Sequence, residues 1–224
     1  MMLALATLPA RRLVGARRAW WMLSAWVLVT IVLSAVRARN GGSATDALLG
    51  IYAAFTLPLV TLSLTGAVVR NDRLQLASSS LTRVGASGIA AALAHVAVAI
   101  ASCLVTGAVL GVAVSIVAHG SADPSLGRDA FTCAWVGALA GAAYAGMFSL
   151  GSSFGPKGSG RGVVLVINWI AGGGVLGTIL PQSHVRSLLG GDPAGILSQQ
   201  GSAITLVAIT LTTSLLAAWR SRAN

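Results

Sequence analysis

Six stretches without a single Asp, Glu, Lys or Arg dominate the chain: Ala19 to Val36, Ala47 to Val69, Ile89 to Ala118, Ala130 to Leu150, Val163 to Leu180 and Ala203 to Trp219. The hydrocarbon core of a bilayer is about 30 Å thick and needs about 20 apolar residues of helix to cross it. The pattern therefore predicts an all-α integral membrane protein with six transmembrane helices. Residues 1–18 form a basic segment ahead of a transmembrane domain at 19–219, and 220–224 are a short tail. The third stretch, at about 45 Å of helix, is too long for one upright crossing and must tilt or project beyond the membrane.

Composition strengthens this picture. Hydrophobic residues make up 55% of the chain and charged residues 9%, with a mean hydropathy of +0.83, whereas soluble domains carry about 25% charged residues. An ordinary soluble enzyme is excluded. The net charge of +10 comes from arginines clustered between apolar runs rather than along one face, so the partner it indicates is the lipid bilayer and not a nucleic acid. Eleven basic residues fall in the N-terminus, the second loop, the fourth loop and the tail, and four in the alternate segments. Positive charge is retained on the cytoplasmic side, which predicts cytoplasmic N- and C-termini in a bacterial inner (plasma) membrane. The first span reads as a retained signal-anchor, because Val36, Arg37 and Ala38 make a poor cleavage site. Residues 1–18 fit either a short helix lying on the leaflet or a disordered tail carrying topogenic arginines.

The spans are short of chemistry. None holds a charged side chain inside, which disfavours a proton-coupled pump. Small residues recur every fourth position, at Ala99, Cys103, Gly107, Gly111 and Ser115 and at Gly137, Gly141, Ala145 and Ser149, a spacing that lets helix backbones approach closely. Gly173 and Gly177, in the run around Gly172, are read as further packing positions or as a bend. His95 is expected to bond a neighbouring helix rather than to act in catalysis. Cys103 and Cys133 read as small packing residues, with no metal spacing around them. The Gly155 to Gly162 stretch lacks the spacing and context of a phosphate-binding loop. Gly85-Ala86-Ser87-Gly88 resembles the serine motif of rhomboid intramembrane proteases, but His119 and His184 are expected on the opposite side of the membrane from Ser87. No catalytic, cofactor-binding or metal-binding residue is assigned.

The second loop is the most informative segment. It begins after a span with Pro58 in its middle and runs from Arg70 through Asp72 and Arg73 into a leucine-rich stretch, with Leu74, Ala77, Ser78 and Leu81 on one helical face. Such a short surface helix would present that face to a partner. Together with Leu76, with Arg83 leading into an Ala-rich third span, with the basic N-terminal segment and with the 22 residues from Pro181 to Ser202 before the last span, the arrangement resembles the ABC-2 type family of ABC transporter permeases. The compact length is similar to the haem-exporter-B-like permeases within it.

The resemblance implies a dimeric exporter pathway, formed with a second permease subunit and driven by a separate ABC ATPase on the cytoplasmic side. ATP and Mg would bind that partner, with no cofactor in this chain and no enzyme activity of its own. Arg70, Asp72, Arg73, Leu74, Leu76, Leu81 and Arg83 would form the ATPase-coupling loop. Replacing Asp72, Arg73 and Leu81 together would then uncouple transport. The competing readings are a non-transporting membrane scaffold or assembly subunit and, behind it, an intramembrane serine protease.

Overall fold

The computed structural model describes residues 2–120, 125–172 and 175–223. Among these residues the chain is helical, without a strand. Helix α1 (Met2–Gly15) turns at Ala16 into α2 (Arg17–Arg39). A short α3 (Ala44–Ala47), a π-helical stretch (Leu48–Thr56) and α4 (Leu57–Val68) form one rod, followed by the small α5 (Leu74–Thr82). The long helices α6 (Gly88–Ala118) and α7 (Leu126–Gly151) come next, then α8 (Gly160–Ala171), α9 (Pro181–Leu188) and α10 (Gln199–Arg220). Helix α1 is docked on the bundle, with Leu5 and Leu8 against Leu81, Ala91 and Ala94.

Among the described residues, five helices are long and apolar enough to span a membrane: Arg17–Arg39, Ala44–Val68, Gly88–Ala118, Leu126–Gly151 and Gln199–Arg220. This is a multi-pass membrane protein. The stretch expected as a further span, 163–180, is not one helix. Helix α8 has 12 residues, about 18 Å, and is followed by a 3-10 segment at Val175–Ile179 and then α9, which starts on Pro181. Backbone entropy at Gly172 and its neighbouring glycines, and the proline, explain why the apolar run cannot continue as one helix. Gly173 lies outside the described residues.

The core is the crossing of α6 and α7. A methyl group built on Gly107 would overlap the carbonyl oxygen of Gly137, one on Gly137 the carbonyl of Gly107, one on Gly111 the carbonyl of Cys133, and one on Gly141 the carbonyl of Cys103. The two backbones touch, with Ala99, Cys103, Ala140 and Ala145 fully buried around the contact. Gly177 sits against Gly172 and Ser183 in the α8–α9 connection. The notch left by Gly107, Gly111 and Gly137 is filled by Tyr52, whose hydroxyl donates to the Gly107 carbonyl at 2.6 Å. Helix α2 stands at the periphery: 17% of its most apolar window is buried, against 67% for α7. Its Leu28, Val32 and Val36 point outward, as lipid-facing side chains do.

Pro58 shapes the Ala44–Val68 rod. It has no N–H to give back to the preceding turn, where the π-helical stretch passes into α4, and the indole Nε1 of Trp169 on α8 donates to the Ala54 carbonyl in that turn at 2.8 Å, with the Trp169 and Phe55 rings 5.9 Å apart. The proline thus frees an acceptor that ties α8 to the rod. Trp169→Phe is expected to destabilise the detergent-solubilised protein by about 1 kcal/mol. The same change in a Pro58→Ala background, where an N–H is restored, should have a smaller effect, and a double-mutant cycle of thermal stability measures the difference. Equal effects in both backgrounds would show that the proline and the indole act independently.

Candidate functional site

One end of the bundle gathers the loops that hold most of the arginines. Helix α4 runs out at Val68 and the chain turns through Arg70 and Asn71, both at φ 56°. A positive φ is uncommon outside glycine and persists only where the surroundings fix it. Here the Asn71 amide donates to the Gly66 carbonyl at 2.7 Å, and its Oδ1 accepts from Arg161 Nη2 at 3.2 Å. A side chain at Gly66 would collide with that Oδ1.

Beyond the corner, the chain is bound to the loop that follows α7. The Arg73 Nε donates to the Gly155 carbonyl at 2.6 Å, and the Leu74 amide donates to the Ser152 carbonyl at 3.1 Å. Asp72 Oδ1 accepts from the Arg73 amide at 2.8 Å. Gly158, at φ 66°, brings its backbone against the carbonyl of Asp72, where a β-carbon would not fit. The last turn of α10 joins the same end: the Arg220 guanidinium lies 3.9 Å over the Phe154 ring, and Ser221 abuts Gly88.

Helix α5 is amphipathic as its spacing predicts, and its apolar face is turned inward. Leu74, Ala77, Ser78 and Leu81 are all buried. Leu74 and Ala77 meet Val69, Ala92, Val96, Ala217 and Ala218. Leu81 meets Ala91 and Ala94. This corrects the expectation that the face is offered to a partner: the first two turns of α6, together with α1 and α10, leave it no free surface. The side chains that α5 and its flanks expose are Leu76, at 58%, with Arg73, Arg83 and Val84, while Asp72 is half-buried. The surplus length of the third span is explained at the same place, since its start is the wall on which α1 and α5 sit.

Arg12 of α1 holds these elements together. Its Nη1 donates to the Ala77 carbonyl at 2.9 Å and lies 3.0 Å from His95 Nε2, and its Nη2 donates to Ser80 Oγ at 2.7 Å. A guanidinium only donates, so His95 Nε2 accepts, and the proton on Nδ1 is given to the Ala91 carbonyl at 2.9 Å. His95 is therefore a neutral, fully buried structural imidazole. Burial and the nearby charge of Arg70 both press the Arg12 pKa below the ordinary guanidinium value. For Arg161 burial does the same, against an upward pull from Asp72.

The sequence pattern of the loop does not point to Arg12, Ser80, His95 or Arg161. Their partners lie 65 to 90 positions away, and no short-range spacing marks such pairs. Ser87 uses its hydroxyl as the cap of α6, accepting from the Ala90 amide at 3.2 Å. His119 caps the other end of that helix, about 46 Å away. His184 is on α9 with Nε2 2.9 Å from the Thr178 carbonyl, so Ser87 has neither of these imidazoles beside it.

The fold and this end of the molecule define a multi-pass helical membrane protein with an arginine-rich, tightly bonded terminal layer. Comparisons with family models, with curated proteins and with solved structures give no match for the chain.

Proposed function

We propose that the chain is the permease subunit of an ABC-2 type exporter, pairing with a second permease subunit and driven by a separate cytoplasmic ABC ATPase. In this reading the arginine-rich end faces the cytoplasm of a bacterial inner membrane, both termini lie there, and the broken segment from α8 to α9 makes a sixth crossing. The observation that carries it is α5. A short helix stands between two membrane spans, bonded to the neighbouring loop through Arg73 and Leu74, clamped by Arg12, and left with an exposed edge of Leu76, Arg83 and Val84.

That edge is where an ATPase would press. A partner that binds two states of the permease with different affinity shifts the equilibrium between them, and α5 would transmit the shift to α4 and α6, between which it is inserted. The arginines at the same end agree with retention of positive charge on the cytoplasmic side. A non-transporting scaffold remains the second reading, favoured by the inward apolar face of α5, which serves this chain's own packing.

Leu76→Asp combined with Arg83→Glu tests the proposal at exposed positions, unlike Leu81, whose replacement would disturb the interior. The doubly substituted protein should express and melt as the wild type does, yet lose co-purification with an ABC ATPase of the same cell that the wild type captures, and the ATP hydrolysis that the complex supports. Normal co-purification and hydrolysis would remove α5 from the interface. A wild-type chain that captures no ATPase would favour the scaffold.

A further inference from the structure

A cavity of about 790 Å³ lies between the α1–α2 elbow, α4 and the start of α8. Arg12, Arg18, Arg70 and Arg161 line it, and among the described residues no Asp or Glu does. Four guanidiniums around one cavity repel one another, and Arg12 and Arg161 are also partly removed from water, an arrangement that an anion relieves. The state of Arg161 makes the point locally. Its Nη2 donates to Asn71, while its Nη1 is shut off from solvent with no hydrogen-bond partner among the described residues. Arg12 is committed to Ala77, Ser80 and His95. Arg18 is exposed and without a hydrogen-bond partner among the described residues, so its fork of donors is available.

Apart from Ser63 and Asn71, the remaining wall is apolar. Ala19 and Met22 of α2 and Leu62 of α4 line it, and Met22 is 45% exposed on the outer surface of a membrane-spanning helix. Charge at one side and lipid-facing apolar surface at the other match an amphiphile with an anionic head. The depth agrees: Trp20 and Trp21 stand at the same elbow, exposed, where aromatic residues meet headgroups. Trp20 Nε1 donates to the Leu13 carbonyl at 3.1 Å and fixes the elbow that forms the wall. Guanidiniums recognise phosphate oxygens in pairs of parallel bonds.

We propose that this cavity binds the phosphate headgroup of an anionic phospholipid, with Arg18 and Arg161 gripping the phosphate and an acyl chain lying along Met22 and Leu62 between α2 and α4. The site requires a bilayer but no ATPase, so its test is independent of the transport reading.

The test uses the full chain in nanodiscs of phosphatidylcholine with graded phosphatidylglycerol, and counts lipids retained on ejection by native mass spectrometry. Wild type should retain one phosphatidylglycerol in preference to phosphatidylcholine. Arg18→Gln should weaken that retention by about tenfold, the loss of one charge-assisted contact, and Arg161→Gln by a similar factor. Arg18 makes no hydrogen bond or ion pair among the described residues, so its variant should keep the wild-type melting temperature. Arg39→Gln with Arg128→Gln, which removes twice the charge of either site variant in segments outside this end, should leave retention unchanged. Equal retention in wild type and both site variants overturns the proposal, as does an equal loss in the Arg39/Arg128 variant. Displacement of the lipid by inorganic phosphate alone would also overturn it, assigning the arginines to a soluble anion.

Discussion

Replacing Gly141 by leucine is expected to abolish the folded protein. Gly141 faces the Cys103 carbonyl so closely that even a β-carbon overlaps it, and the obstacle is backbone on a helix held along its whole length, which no rotamer change can remove. Inserting bulk into a packed core costs 1 to 3 kcal/mol as a rule, and about 3 kcal/mol or more where nothing can yield. Within the bilayer there is little hydrophobic force to drive the helices together again once the close contact is lost. The measurement is the monodisperse fraction in mild detergent after size-exclusion chromatography, with Gly127→Leu as the comparison. Gly127 has open space where its side chain would grow, so that variant should remain folded. Equal behaviour of the two would mean that α6 and α7 do not cross at these glycines.

Arg12→Met should be the second most damaging change, although Arg12 is a charged residue near the start of the chain. Methionine keeps the apolar stem and removes the fork that joins Ala77, Ser80 and His95. The buried His95 Nε2 is then left without a donor, and α1 loses its hold on α5. Two hydrogen bonds from a charged donor and one stranded acceptor amount to about 3 kcal/mol. Arg12→Lys should restore only part of this, because an ammonium cannot reach all three acceptors from one position. Thermal unfolding in detergent gives the loss, and limited proteolysis should cut between α1 and α2 faster in both variants. If lysine matches arginine, the charge alone matters and the fork does not.

Much of the architecture is legible in the sequence because the bilayer imposes a coarse rule that charge-free runs obey. The four-residue stripe, and five long helices to within four residues at each end, follow from the sequence pattern alone. The divided segment at 160–188 was harder, because hydropathy counts Val163 to Leu180 as one apolar run while the glycines and Pro181 govern the backbone. At the α5 loop, the i, i+3, i+4, i+7 spacing identifies the helix and its apolar face but cannot say what covers that face. The answer lies in α1, which the sequence leaves as either a leaflet-lying helix or a disordered tail, and in the start of α6, which it shows only as surplus length. In the sequence Arg12 and Arg161 weigh only as charges that set orientation, and their bonds to Ser80 and Asn71 depend on a tertiary fold that brings distant segments together.

The bonds from Arg73 to Gly155 and from Leu74 to Ser152, with Arg220 lying over Phe154, have a mechanical meaning. The ends of α4, α7 and α10 are riveted into a single plate, of which α5 is one edge. A push on Leu76 would not bend a loop; it would tip the plate, and three membrane helices would lean with it.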